Sequence, residues 1–307
     1  MKQLNLENRI YQSTHQDFVK FLKVKGYQKS SWKMYSNGSR EFLFFLEARM
    51  IFSFKMIKPQ DVVCYFEYIR ERPNQRFSGT LSESMIRHHM LSVKMFFDYL
   101  VDTEELNGSP CVLPSFKRVK AKEKQIITTD EIKQIYNQAN SQKQIAVLAL
   151  AYGCGLRRSE ILKLQCEDVD LRSGFAIIKN SKNNKSREVP MSDKVIDDIR
   201  KYLLGDRLKL TRELGFNPKE LIIKDDGQKY EGSAINRMVQ QLARKTQNLN
   251  LIKKKITLHS FRHSIATHLI DNGASIAFVQ EFLGHSLIDT SHIYAKRRKL
   301  KQKYGRI

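Results

Sequence analysis

Apolar residues recur at helical spacing through about the first hundred residues of the chain, in four stretches separated by polar or helix-ending residues. Gly26 supplies a stop for the first stretch, and Pro59 suits the first turn of the third. The predicted helices begin near residues 12, 30, 59 and 81, and a polar loop over residues 73–80 precedes the last one. Four helices of this length predict a compact helical bundle.

The stretch from Asn107 to Gln125 breaks this helical pattern. It contains one Gly, two Pro and five Lys or Arg residues, with little periodicity. Such composition is typical of a domain boundary. We therefore predict a helical domain over residues 1–108, a basic linker over 109–127 and a second domain over 128–307.

The second domain is predicted to be mixed. Thr128 and Glu131 form a capping-box pattern at the start of a helix. Residues 144–152 form the most apolar predicted helix, which two glycines end. The predicted strands are 175–178 and 187–189, joined by a polar turn, and a short one at 221–223. The fold class predicted for the whole chain is mainly α, with an α/β second domain that contains a small β-hairpin.

The charge of the chain narrows the class of partner. The 307 residues include 54 Lys and Arg against 32 Asp and Glu, a formal net charge of +22 that is spread along the sequence. Such an excess favours a polyanion as partner, and nucleic acid above a merely solvated basic surface. The four Cys show no paired spacing, as is typical of a reducing compartment. No signal peptide and no apolar run of about 20 residues is visible, so we expect a cytoplasmic protein that acts on DNA and not at a membrane.

Candidate chemistry is concentrated between Leu258 and Tyr294, where five of the eight histidines lie. His259 and Arg262 are three residues apart and share one face of a predicted helix. His285 follows a Gly, and Tyr294 comes nine residues later beside a basic run. An Arg, two His and a Tyr in a cationic setting are the groups needed to attack a phosphodiester.

A zinc site is the alternative interpretation of these histidines. His259, His263 and His268 have spacings that could suggest metal ligands. However, the Glu of a metalloprotease helix is missing, and Arg262 would repel a cation. His263 and His268 are interpreted as packing residues, and no metal or cofactor is expected.

These residues carry a resemblance to the tyrosine recombinase (phage integrase) family, and most nearly to simple Xer-type site-specific recombinases. The matching elements are His259-x-x-Arg262, Leu283-Gly-His-Ser with the Tyr nine positions after that His, Gly155-Leu-Arg-Arg-Ser-Glu-Ile, and Lys182 within Asn180–Pro190. The resemblance covers most of the chain and is strongest from about Thr128 onward. It implies a SAM-like helical core-binding domain, which grips one face of the duplex, followed by the recombinase catalytic domain.

The resemblance also implies catalytic roles. Arg157 and Arg262 would clamp the non-bridging oxygens of the scissile phosphate, and His285 would add a further hydrogen bond. Glu160, three residues after Arg157, could orient the guanidinium. Tyr294 would be the nucleophile.

Proton transfer would involve two further residues. His259 would accept the proton of the tyrosine, and Lys182 would protonate the leaving 5′ oxygen. Ser181 and Asn183 stand where the family more often has glycines, so Lys185 competes with Lys182 for that role.

The implied function is site-specific cutting and rejoining of double-stranded DNA through a 3′-phosphotyrosyl intermediate. The partners would be inverted-repeat target sites and further copies of the chain in a tetramer; a second, non-identical recombinase is left open. Integration or excision and chromosome-dimer resolution fit equally well. The alternatives are a type IB topoisomerase-like enzyme and, from another class, a non-catalytic sequence-specific DNA-binding protein.

Overall fold

The computed structural model of the protein describes residues 4–75, 78–114, 116, 125–179 and 186–284. The chain divides into two compact units, Met1–Lys120 and Ala121–Ile307. Each unit has its own apolar core. No helix in the described ranges is long and apolar enough to cross a membrane.

The first unit is the predicted four-helix bundle. Its helices are α1 (Arg9–Val24), α2 (Lys29–Ala48), α3 (Pro59–Glu71) and α4 (Glu83–Asp102). Pro59 is the first residue of α3, where its missing N–H costs nothing. Ser82 caps α4 by accepting a hydrogen bond from the Met85 N–H. Aromatic rings fill the core, among them Phe42, which lies edge-on to Phe97.

The second unit begins with α5 (Thr129–Asn137) and α6 (Gln142–Leu148), which enter its core. Thr128 and Glu131 form the predicted capping box at the start of α5. The apolar helix predicted over 144–152 is only partly regular. It changes after Leu148 into a π-helical turn, Ala149–Gly153, so that Cys154 N–H bonds Ala149 O at 3.0 Å.

A three-stranded antiparallel sheet follows the short helix α7 (Arg158–Ile161). The strands are β1 (Val169–Asp170), β2 (Phe175–Ile178) and β3 (Arg187–Pro190), in the order β1-β2-β3. In the predicted hairpin Ala176 pairs with Val189. The prediction of a strand at 221–223 is wrong. Glu220 and Ile223 make only isolated bridges, with Gln165 and Lys229, because this segment has no continuous partner strand among the described residues.

The other α-helices within the described residues are α8 (Asp193–Tyr202), α9 (Leu208–Leu214), α10 (Ala234–Lys245), α11 (Leu249–Lys253), α12 (Leu258–Asp271) and α13 (Ile276–Leu283). α12 is buried along much of its length and packs on the π turn after α6. α13 packs against both α12 and β3. These contacts bring the turn before α7, the strand β3 and the end of α13 to one place.

Candidate active site

The turn before α7 places Arg157. Gly155 in this turn has φ +58°, a conformation that L side chains rarely adopt. A Cβ on Gly155 would also lie 2.8 Å from Leu283 Cδ2, so the missing side chain allows α13 to pack directly on the turn. Arg157 then caps α7, with its side chain 37% exposed.

Glu160 binds Arg157 at two points. One carboxylate oxygen accepts from the Arg157 backbone N–H at 2.8 Å, and the other accepts from guanidinium Nη1 at 2.7 Å. A cation at a helix start is unfavourable by itself. Here a carboxylate lies in the first turn and binds both the N–H and the cation, which removes that conflict.

Arg187, at the start of β3, is a further site residue, to which we assigned no role from the sequence. Its Nη1 and Nη2 donate to the two oxygens of Glu160, at 3.0 and 2.9 Å, in a two-bond fork. Burial alone would raise the pKa of Glu160, but hydrogen bonds and charge from Arg187, together with hydrogen bonds from Arg157, outweigh burial and hold this pKa at about 2. A signal was present: Arg187 shares a strand face with the buried Val189, so strand alternation points it inward.

Arg262 lies on α12 and is only 2% exposed. Its Nη1 donates to the carbonyl oxygen of Gly155 at 2.6 Å and lies 3.7 Å from a Glu160 oxygen. Its Nη2 donates to Leu283 O. The structure therefore brings the two predicted clamp residues, Arg157 and Arg262, to the same carboxylate.

The carboxyl end of α13 is capped by three guanidinium groups. Arg187 Nε donates to Phe282 O at 3.2 Å, Arg262 Nη2 to Leu283 O, and Arg157 Nη2 to Gly284 O at 3.0 Å. The last carbonyls of a helix lack partners within the helix, and the helix dipole favours cations there. Three segments far apart in sequence thus meet at the end of α13.

His259 lies exposed on the first turn of α12. Its Nε2 is 2.7 Å from Nε2 of the buried His263, so one ring nitrogen donates and the other accepts. At least one of these two imidazoles is therefore neutral while the bond is formed. His268, by contrast, bonds the Tyr152 hydroxyl at 2.8 Å, in keeping with the packing interpretation.

The other predicted site residues, Lys182 with its competitor Lys185, His285 and Tyr294, lie outside the described residues. Among the residues that the structure does describe, no group of three or more His, Cys, Asp or Glu could hold a metal ion.

A family model described as the phage integrase family matches residues 125–301, more than half of the chain. The chain belongs to the phage integrase family. The predicted family, the fold class and the enzyme class, a tyrosine-type site-specific recombinase, are thereby confirmed.

Relatives extend the similarity over nearly the whole recombinase. This chain is 28% identical to tyrosine recombinase XerD of Staphylococcus saprophyticus over 285 residues, which are 91% of this chain and 92% of the relative. A tyrosine recombinase of Thermosipho africanus is 28% identical over 275 residues, 88% of this chain and 90% of the relative. Among solved structures, XerH site-specific recombinase bound to difH substrate matches with a TM-score of 0.72 and 16% identity, over 99% of this chain and 98% of that one. At that identity the structural match supports the fold.

Proposed function

We propose that the recombinase cuts DNA at a specific site by attack of Tyr294 on a phosphodiester, with Arg157 and Arg262 as the phosphate clamp. The phenol oxygen forms a bond to phosphorus, and the bond from phosphorus to the 5′ oxygen breaks. The product is a 3′-phosphotyrosyl linkage and a free 5′ hydroxyl. Attack by the 5′ hydroxyl of another strand then reverses the step and seals the new junction.

The observation that carries this proposal is the convergence of two guanidinium groups from distant segments. Arg157 and Arg262 are over a hundred residues apart in sequence, yet both contact Glu160 and both bind carbonyls at the end of α13. A five-coordinate phosphate gains negative charge on its non-bridging oxygens, and fixed positive donors stabilise that charge. Two planar guanidinium groups that are held in place by protein contacts are suited to stabilising this charge.

The remaining groups supply proton transfer in this proposal. His259 accepts the proton of Tyr294, whose phenol has an ordinary pKa of about 10. Lys182 donates a proton to the leaving 5′ oxygen, and His285 adds a hydrogen bond to the phosphate. Glu160 orients Arg157. No metal or other cofactor enters the reaction.

We further propose that double-stranded DNA with inverted-repeat sites is the substrate, bound by the helical unit as core-binding domain and by the second unit as catalytic domain. The net charge of +22 supports this. A tetramer in the cytoplasm, on the nucleoid, would carry out strand exchange. Solved relatives bound to difH substrate or to transposon end DNA support the DNA partner.

A nicked target duplex tests the covalent step. The short 5′-hydroxyl fragment diffuses away after cleavage, so the adduct accumulates and is seen on a denaturing gel. We expect it to form in excess EDTA, because no metal takes part. Mass spectrometry should place the nucleotide on Tyr294, and Tyr294→Phe should bind the same DNA with similar affinity and form no adduct.

Two outcomes would reject the proposal: cleavage that stops on chelation, or an adduct that persists in Tyr294→Phe. Relaxation of supercoiled DNA without site preference would favour a topoisomerase. Site-specific binding with no adduct under any of these conditions would favour a DNA-binding protein.

A further inference from the structure

We infer that Arg187 is a positioning residue for the phosphate clamp, acting on Arg157 through the shared carboxylate of Glu160. The inference rests on the proposed function, since it assumes that Arg157 and Arg262 bind the scissile phosphate. Arg187 would not touch the DNA itself. It would set the direction in which the Arg157 guanidinium points.

The first support is the set of donors around Glu160. Its carboxylate accepts four hydrogen bonds from the described residues: two from the Arg187 fork, and two from Arg157. These four bonds use about all the acceptor sites of a carboxylate. The fork holds both oxygens and so fixes the plane of the carboxylate, whereas Arg157 binds one oxygen through its backbone N–H and only the other through its side chain. Without Arg187, the oxygen that accepts from Arg157 Nη1 would no longer be held by a second guanidinium, and the Arg157 guanidinium could turn with it.

The second support is the contact between Arg187 and the end of α13. Its Nε binds Phe282 O, while Arg157 binds Gly284 O two residues later. Gly284 has φ +63°, and a Cβ there would lie 2.8 Å from Arg187 Cδ. Arg187 therefore joins β3, α7 and α13 at a point that has no space for a larger residue.

The third support is the difference in exposure between the cations. The side chain of Arg187 is 12% exposed, while that of Arg157 is 37% exposed. Arg187 has its fork and its Nε bound to protein atoms. Both Nη atoms of Arg157 are also bound to protein atoms, so the greater exposure of its side chain is what makes Arg157 the more accessible of these two cations, and Arg187 acts through it. This comparison concerns Arg157 and Arg187 alone, since Arg262 is more buried than both.

Single-turnover adduct formation on the nicked duplex tests the inference, with three scissile linkages: the ordinary phosphate, a methylphosphonate and a 5′-bridging phosphorothiolate. The methylphosphonate lacks one charged oxygen and depends less on the clamp. The phosphorothiolate has a better leaving group and depends less on the acid. The variants are Arg187→Gln and Arg187→Lys, and Arg172→Gln, an exposed arginine between β1 and β2, is the matched control.

We expect Arg187→Gln to slow adduct formation by about 10²-fold, the effect of a small misplacement of reacting groups. Its DNA affinity should equal that of wild type and of Arg172→Gln. On the methylphosphonate the ratio of the wild-type rate to the Arg187→Gln rate should be smaller than on the ordinary phosphate. On the phosphorothiolate this ratio should be unchanged. Arg187→Lys, which keeps the charge without the fork, should be intermediate. Adding Glu160→Gln to Arg187→Gln should cause little further loss.

Several results would overturn the inference. If the phosphorothiolate removes the difference in rate between wild type and Arg187→Gln, Arg187 acts through the hairpin lysine and not the clamp. If Arg187→Gln loses the same factor in rate on all three linkages and also has a lower melting temperature, the role of Arg187 is purely structural. If the rate losses of Arg187→Gln and Glu160→Gln are fully additive in the double variant, Arg187 does not act through Glu160. If wild type itself forms no adduct, the proposed function fails; wild-type activity with an unaffected Arg187→Gln rejects only the role of Arg187.

Discussion

In each unit of the recombinase a largely buried glutamate side chain contacts arginine, and the two environments differ in their number of cations. In the helical unit Glu41 is 4% exposed and accepts from Arg72 Nη2 at 3.0 Å, with His89 3.7 Å away. In the second unit Glu160 binds the guanidinium groups of Arg157 and Arg187 and lies 3.7 Å from Arg262.

The pKa values of the two carboxyls move in opposite directions. Burial raises the pKa of Glu41 above its usual value, although Arg72 opposes this. Burial acts in the same direction on Glu160, but Arg187 and Arg157 outweigh it and lower the pKa of Glu160 to about 2. One arginine roughly balances one buried glutamate, whereas three leave an excess of positive charge. A balanced pair suits a structural role, and an excess of fixed cations suits binding of a phosphate.

The largest effect should come from breaking the balanced pair. Arg72→Met leaves the Glu41 carboxyl buried without its cation, which typically costs about 3–5 kcal/mol of folding free energy. Urea unfolding followed by Trp32 fluorescence measures this, because the chain's one tryptophan lies in α2. Lys55→Met, at an exposed position, is the control. A change under about 1 kcal/mol, the size expected of an exposed pair, would mean that the pair is not structural.

Removal of Arg157, a partly exposed arginine beside Glu160, should affect the cleavage reaction rather than folding. Arg157→Ala should slow adduct formation by about 10²- to 10³-fold, as loss of one donor to a developing oxyanion does. Single-turnover cleavage measures the rate, and the melting temperature should change little because this side chain is partly exposed. Arg158→Ala, next in sequence and exposed, should retain cleavage. Equal effects of the two variants would contradict the assignment.

Acidification should also affect the two units differently. Burial lowers the pKa of both His15 and His89 to about 4, from an ordinary 6.5. The unfolded chain then binds protons first, so the stability that these neutral histidines contribute is complete above pH 6.5 and is lost as the pH falls towards 4. For Glu160 the contribution is complete above about pH 4.5 and is lost only as the pH falls towards 2.

Between pH 6.5 and 4.5, therefore, the two histidines should lower the stability of the helical unit, an effect that the raised pKa of Glu41 partly offsets, while the contribution of Glu160 is unchanged. Each histidine contributes at most about 3 kcal/mol, at 1.36 kcal/mol per pKa unit. Urea midpoints from Trp32 fluorescence at several pH values measure the slope. His15→Gln should flatten it, and an unchanged slope would show that His15 is not the group that titrates.

Much of the helical unit was predictable because its information is local. The spacing of apolar residues and the stop at Gly26 predict α1, and Pro59 marks the start of α3. The π turn after Leu148 was not predictable in this way. Its sequence is as apolar as that of a regular helix, and what distinguishes it is the packing of α12 against it.

The candidate active site shows the same division. His259 and Arg262 lie in a short motif whose residue types and spacing indicate phosphoryl chemistry, and the motif that contains Arg157 and Glu160 was assigned through the family resemblance. The fork of Arg187 depends on Glu160, 27 residues earlier, and on Phe282, 95 residues later. No local pattern encodes a contact between such distant residues. The sequence determined which groups are available for the reaction, and the packing of β3, α7 and α13 decided which cation holds another in place, because only the folded chain brings their side chains within hydrogen-bonding distance.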